Sequence, residues 1–266
     1  MDLQLNRKRA LITGSSSGIG KAIAKALAQE GVAVVIQGRR QIEAEQVAQE
    51  IRASGGKAAI AIGDLTQNEE AQQVVETALA AFNGVDILIN NAGAYPLQGW
   101  MEATVEDWMH NFNTNVFSMV RMIRLLVPQM KQGGWGRIIQ ISSNAGVQAV
   151  PDAASYSATK AANINMTVSL AKELANTGIT VNTVSPGPVV TEGWNQFALE
   201  IAQKQGWATD LEIIKQKFLD MGNPPSGRLG QPEDISNLVT FVASPLAGYV
   251  NGANLRVDGG QTPTVN

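Results

Sequence analysis

Seven short apolar runs alternating with longer helical patterns constrain this chain more than any other feature. The runs are 9–13 (RALIT), 32–37 (VAVVIQ), 57–62 (KAAIAI), 86–90 (DILIN), 137–142 (RIIQIS), 179–184 (ITVNTV) and 253–257 (ANLRV). Most are apolar throughout instead of alternating with polar residues, which is the pattern of strands buried on both faces of a parallel sheet. Helical periodicity fills 18–30, 40–54, 67–82, 104–131, 153–176 and 232–243, and Gly31 and Gly178 stand where left-handed caps end two of these segments. Repeated β–α alternation with right-handed crossovers predicts an α/β fold, a doubly wound, seven-stranded parallel sheet with helices on both faces (a Rossmann fold). With no repeat and no low-complexity linker, 1–266 reads as a single domain.

One stretch breaks the alternation. Residues 191–230 carry helical patterning but no strand, hold Trp194, Phe197 and Trp207, and close on a GNPPSGRLG turn cluster. Forty residues between two strands of a compact sheet are expected to be a substrate lid.

Composition removes whole classes of chemistry. A formal charge of −3 gives no electrostatic case for nucleic acid or anionic membrane. No apolar run approaches the roughly 18 residues of a membrane span, and the opening MDLQLNRKRALITG has no apolar signal region, so a cytoplasmic location is expected. The absence of Cys removes disulfides, thiolate catalysis and thiolate metal sites, and a single His, His110, removes multi-His metal centres. His110 lies in EDWMHNFNTN and reads as an ordinary helical residue. A Ser hydrolase is disfavoured because no GxSxG occurs.

The stretch RALITGSSSGIGKAIAKALAQEG reads as strand, glycine-rich turn and helix, with Gly14, Gly18 and Gly20 spaced TGxxxGxG. Such a turn lets backbone approach a pyrophosphate and aims helix N–H groups at its charge, so a dinucleotide site is expected here. The second strand should then end at the adenosine ribose. It ends in Gly38, Arg39 and Arg40, with no acid. A carboxylate there would accept bonds from a free 2′-hydroxyl, whereas Arg neutralises a 2′-phosphate, so NADP(H) is expected over NAD(H), with NAD as the alternative. Tyr156 and Lys160, four apart in SYSATK, share one face of a helix. Alone, such a pair is an ordinary surface feature.

Taken together, the motifs resemble the short-chain dehydrogenase/reductase family over essentially the whole chain. They run in the family's order: TGSSSGIG (13–20), GDLT (63–66), NNAG (90–93), Asn115 in NTN, Ser143 in ISS, YSATK (156–160) and SPGPVVT (185–191). The family's Ser lies thirteen residues before its Tyr, which selects Ser143 over Ser142, and its Asn follows a Trp by seven, which selects Asn115 after Trp108. The chain departs from many NADP-using members in having Ser17, not a basic residue, before the second Gly.

The resemblance implies a homodimer or homotetramer paired through the helices at 104–131 and 153–176, and a small-molecule carbonyl or alcohol substrate. It implies that Gly14, Ser16, Ser17 and Ile19 hold the pyrophosphate and ribose, Asp64 and Leu65 meet the adenine, Asn91 the adjoining ribose, and Val189 and Thr191 the nicotinamide carboxamide. In carbonyl reduction, Tyr156 gives a proton to the oxygen that Ser143 steadies, Lys160 lowers the Tyr pKa and grips the ribose, and Asn115 holds a relay water. One ammonium about 4 Å from the phenol at an effective dielectric near 20 is worth about 4 kcal/mol, enough to bring a pKa of ~10 toward neutrality. Tyr95, Ala145, Trp194 and 191–230 are expected to line a pocket for something apolar or medium-sized. The alternatives are a non-catalytic nucleotide-binding regulator and a non-redox lyase or epimerase on the same fold.

Overall fold

In the computed structural model, which describes residues 1–264, every apolar run forms a strand. These are β1 (Arg9–Ile12), β2 (Ala33–Gly38), β3 (Lys57–Ile62), β4 (Ile87–Asn90), β5 (Gly136–Ile141), β6 (Ile179–Pro186) and β7 (Asn254–Val257). They make one all-parallel sheet in the order β3-β2-β1-β4-β5-β6-β7. The chain winds outward first on one side of β1 and then on the other. The β1–β4 boundary is therefore the switch point, where the carboxyl ends of the strands open a crevice.

The helices are α1 (Gly18–Gln29), α2 (Gln41–Ala53), α3 (Asn68–Phe82), α4 (Val105–Phe112), α5 (Ser118–Gly133), α6 (Ala154–Glu173), α7 (Glu192–Lys204), α8 (Leu211–Gly222) and α9 (Pro232–Ala243). The strands are apolar throughout because each feeds two cores. Ile12, Ile36 and Ile89 point into the layer with α1, α2 and α9, while Leu11, Val35 and Leu88 point into the layer with α3, α5 and α6. Each such fully buried side chain contributes about 1.5–3 kcal/mol, so Leu88→Ala in the central strand is a 2–5 kcal/mol loss on the same scale. Gly31 and Gly178 do adopt the left-handed conformation, at φ 81° and 76°.

The continuous helix expected over 104–131 is divided. A Thr104–Asp107 capping box starts α4, a π turn occupies Asn113–Phe117, and α5 follows. A π turn re-aims the side chains of one helical stretch, and such bulges concentrate at functional sites. The excursion at 191–230 is a helical hairpin, α7 and α8, with its own small core of Ala198, Ala202 and Ile214 under Trp194, Leu199, Trp207 and Phe218. Its two ends meet: Val189 bridges Gly230 in parallel fashion, and the Val190 N–H donates to Gly230 O at 2.9 Å. Among the described residues, no helix is long and apolar enough to cross a membrane.

Candidate active site

The glycine turn lies at the switch point and is stitched to the loop after β4. Thr13 Oγ1 accepts from the Asn91 and Ala92 N–H groups at 2.9 and 3.0 Å, and Asn91 Nδ2 donates to Thr13 O and Gly14 O at 2.9 and 3.0 Å. Gly14 sits at φ 61°, and a Cβ there would come within 2.8 Å of Ala92 Cα. At Gly20 the requirement is space, since a Cβ would lie 2.5 Å from Gly14 O. The helix that follows starts bare: Ser17 makes no side-chain cap and the first turn carries no acid. Unlike α4, α1 thus leaves its N-terminal N–H groups and positive dipole end for an anion. These residues fit a dinucleotide pyrophosphate.

Beyond the turn, a cavity of about 650 Å³ brings Ile19, Asn91, Ser143, Tyr156, Lys160, Val189 and Thr191 onto one surface. Ser143 starts a short 3-10 turn after β5, while the neighbouring Ser142 Oγ is spent on Lys160 O at 2.8 Å. Tyr156 and Lys160 come from successive turns of α6. The Lys160 Nζ lies 5.5 Å from the Tyr156 ring centroid and donates to Ile141 O at 3.0 Å. Burial pushes the Lys160 ammonium down to about 8. Burial also pushes the Tyr156 phenol up to about 12, opposed by a hydrogen bond with Ser143. This differs from the lowered phenol expected from sequence. The ammonium is committed to a backbone carbonyl beside the ring, so in the protein alone desolvation outweighs its field.

Asn115 lies behind this surface, fully buried in the π turn. Its Oδ1 accepts from the Ala94 N–H at 2.8 Å and its Nδ2 donates to Ala94 O at 2.9 Å and to Asn111 Oδ1. A Cβ on Gly93 would stand 2.8 Å from Asn115 Oδ1 and 3.7 Å from Lys160 Nζ, so Asn115 and Lys160 face each other across a glycine. Of the three nearby Asn, Asn111 bonds Ser155 and Asn113 bonds Arg121, which leaves Asn115 facing the ammonium.

The sequence model of the short chain dehydrogenase family matches residues 8–201. The chain belongs to the short-chain dehydrogenase family. It is 39% identical over 265 residues to an uncharacterized oxidoreductase, YvrD, of Bacillus subtilis, covering 98% of each chain. Among solved structures it resembles the L-sorbose reductase of Gluconobacter frateurii in complex with NADPH and L-sorbose, at a TM-score of 0.94 and 35% identity over 100% of both chains. It also resembles a 7α-hydroxysteroid dehydrogenase with NADH and 7-oxo glycochenodeoxycholic acid, at a TM-score of 0.88 and 33% identity over 100% of this chain and 98% of that one.

At the end of β2, Gly38 lies against Ser16, where a Cβ would be 3.0 Å from Ser16 Oγ. Arg40 is occupied by Glu43 of α2 at 3.0 Å, whereas Arg39 is exposed and only 3.8 Å from Asp64. Leu65 is buried in the α3–α5 core. His110 is exposed, as expected of a helical surface residue. Two amides stand out that sequence reading passed over. Gln37 is buried, accepts from the Gly14 N–H at 2.9 Å and donates to Gly63 O at 2.8 Å, tying the glycine turn to the loop after β3. Gln261 reaches the cavity from beyond β7 and accepts from Asn144 Nδ2 at 3.1 Å. A polar residue in the otherwise apolar VAVVIQ is the one signal that marks Gln37; nothing local marks Gln261.

Proposed function

We propose that this short-chain dehydrogenase reduces a small-molecule carbonyl compound with NADPH, Tyr156 acting as the general acid. One observation carries the reading: Ser143 and Tyr156 share a cavity wall, with Lys160 buried behind the ring. The bound cofactor supplies the hydride to the carbonyl carbon. Ser143 holds the carbonyl oxygen by hydrogen bond, and Tyr156 delivers its proton there. Lys160 holds the nicotinamide ribose, and Asn115 orders a water toward Lys160 across Gly93.

Gly14, Ser16, Ser17 and Ile19 line the pyrophosphate and ribose, Asp64 and the Leu65 backbone meet the adenine, Asn91 the adjoining ribose, and Val189 and Thr191 the carboxamide. Arg39 supports NADP over NAD. Its side chain is 76% exposed and its pairing with Asp64 is long, so it turns toward a 2′-phosphate at little cost. The NADPH-bound L-sorbose reductase supports the same choice; the NADH-bound hydroxysteroid dehydrogenase shows that neighbours of this fold also take the other cofactor. The α7–α8 hairpin covers the substrate, with Trp194, Phe197 and Phe218 on the cavity surface. Exposed Val105 and Met109 on α4, Phe117 in the π turn and Val168 on α6 support pairing with a second copy.

The test is Tyr156→Phe. It removes only the proton donor, so turnover should fall at least ~100-fold while NADPH affinity, read by fluorescence titration, is kept. Near-normal turnover would end this reading.

A further inference from the structure

The cavity has two unlike walls. One is a file of aromatic rings in edge-on contact: Tyr156 and Tyr95 at 4.4 Å, Tyr95 and Phe197 at 5.1 Å, and Trp194 and Phe218 at 5.2 Å between centroids. The other is polar and uncharged. Ser143 Oγ donates to Asn144 Oδ1 at 3.2 Å, and Asn144 Nδ2 donates to Gln261 Oε1 at 3.1 Å, so a chain of hydrogen bonds runs from the hydroxyl beside Tyr156 to the far side of the cavity.

Gln261 is held in place for this. The Asp258 carboxylate accepts from the Gly260 and Thr262 N–H groups at 3.0 and 3.1 Å, and the Gln261 N–H donates to Asp258 O at 3.1 Å. Its amide then lies against the end of α8, where a Cβ on Gly222 would come within 2.3 Å of Gln261 Nε2. Gly222 is helical, so its lack of a side chain serves space, not backbone conformation. The lid and the carboxyl-terminal segment thus meet at one amide.

Among the described residues, Lys160 is the only Lys, Arg, Asp or Glu on the cavity surface, and it is 4% exposed and bonded to Ile141 O. Among those residues an anionic substrate group finds no second cation on this surface. An apolar ketone would cover the remaining amide donors without giving them partners, which is a costly arrangement. A neutral substrate carrying hydroxyls near its carbonyl satisfies both walls: its C–H faces lie on the rings and its hydroxyls bond the amides. We propose that Asn144 and Gln261 select a neutral, hydroxylated ketone, the hydroxyl neighbouring the carbonyl being held by the amide pair. This rests on the carbonyl-reductase reading above, and it adds a polar wall to the pocket for something apolar or medium-sized expected from the sequence.

The experiment measures NADPH oxidation with dihydroxyacetone and a ketohexose against butanone and cyclohexanone, which present a carbonyl without hydroxyls. The wild-type kcat/KM for the hydroxylated ketones should exceed that for the others by about ten-fold or more. Gln261→Leu should lower that ratio about ten-fold, the scale of one neutral hydrogen bond, through KM more than kcat. Gly222→Ala, which displaces Gln261 without altering it, should lower the ratio in the same direction, and melting temperatures establish that both variants are folded. A wild type that prefers the deoxy ketones, or a Gln261→Leu variant in which both classes fall equally, overturns this inference and leaves the reductase reading standing. NADPH binding with no oxidation by any ketone overturns both.

Discussion

Replacing Lys160 by Met removes a charge that the fold holds at a cost, and the cost has a definite pH signature. Burial lowers this ammonium from its ordinary 10.5 to about 8. At about 1.36 kcal/mol per pH unit, that gap corresponds to about 3 kcal/mol spent in keeping the buried group protonated at pH 7. The folded value lies below the unfolded one. Below pH 8 both states carry the proton and the full cost is present. Between 8 and 10.5 the fold releases the proton while the unfolded chain retains it, so stability rises with pH. From pH 7 to 9.5 the wild type should gain about 2 kcal/mol relative to Lys160→Met. Tyr156 is present in both proteins and stays protonated over this range, and the bond lost at Ile141 O is an offset that does not vary with pH. Urea denaturation of both proteins at pH 7, 8 and 9.5 gives the difference directly, free of every other titrating group they share. Parallel pH curves, or a wild type that loses ground as pH rises, would show that Lys160 is not desolvated as its surroundings require.

Two other substitutions test the cofactor end. Gly38→Asp combined with Arg39→Ile should reverse an NADPH preference of roughly ten- to a hundred-fold, chiefly through cofactor KM, because a charge-assisted contact of about 1.5–3 kcal/mol is exchanged for a repulsion; steady-state kinetics at matched low cofactor and moderate salt would refute it if the wild type already ran faster with NADH. Gln37→Leu should cost about 2–4 kcal/mol by orphaning the Gly14 N–H and Gly63 O and should raise the cofactor KM more than it lowers kcat; melting curves with and without NADPH check this, and an unaltered KM would reduce Gln37 to a packing role.

The strands were legible because burial on both faces demands apolar runs with no polar alternation, and all seven appear where those runs stand. The excursion at 191–230 was equally plain, since no strand pattern interrupts it. What escaped the sequence were features set by distant partners. The pattern across 104–131 stays helical through Asn113–Phe117, because a π turn keeps the same residue types and changes only the ladder spacing. Four-residue spacing put Tyr156 and Lys160 on one face, but it says nothing of where a flexible ammonium ends; Nζ goes to Ile141 O, and the phenol shifts upward instead of down. Gln37 bonds residues 23 and 26 positions away, and Gln261 bonds one 117 positions away. A single amide carries no periodicity, so its role emerges only when the fold brings its partner near.

The bridge between Val189 and Gly230 makes the α7–α8 hairpin a detachable part in evolutionary terms. Its two ends leave and rejoin the body side by side, so the chain between them can lengthen, shorten or be exchanged with only a logarithmic change in closure entropy. With its own buried core of Ala198, Ala202 and Ile214, it carries much of its stability with it. Ser143, in the turn after β5, and Tyr156 and Lys160, on α6, lie outside this loop. The aromatic wall that the hairpin lends to the cavity, Trp194, Phe197 and Phe218, can therefore be exchanged as one piece, while Ser143, Tyr156 and Lys160 keep their places.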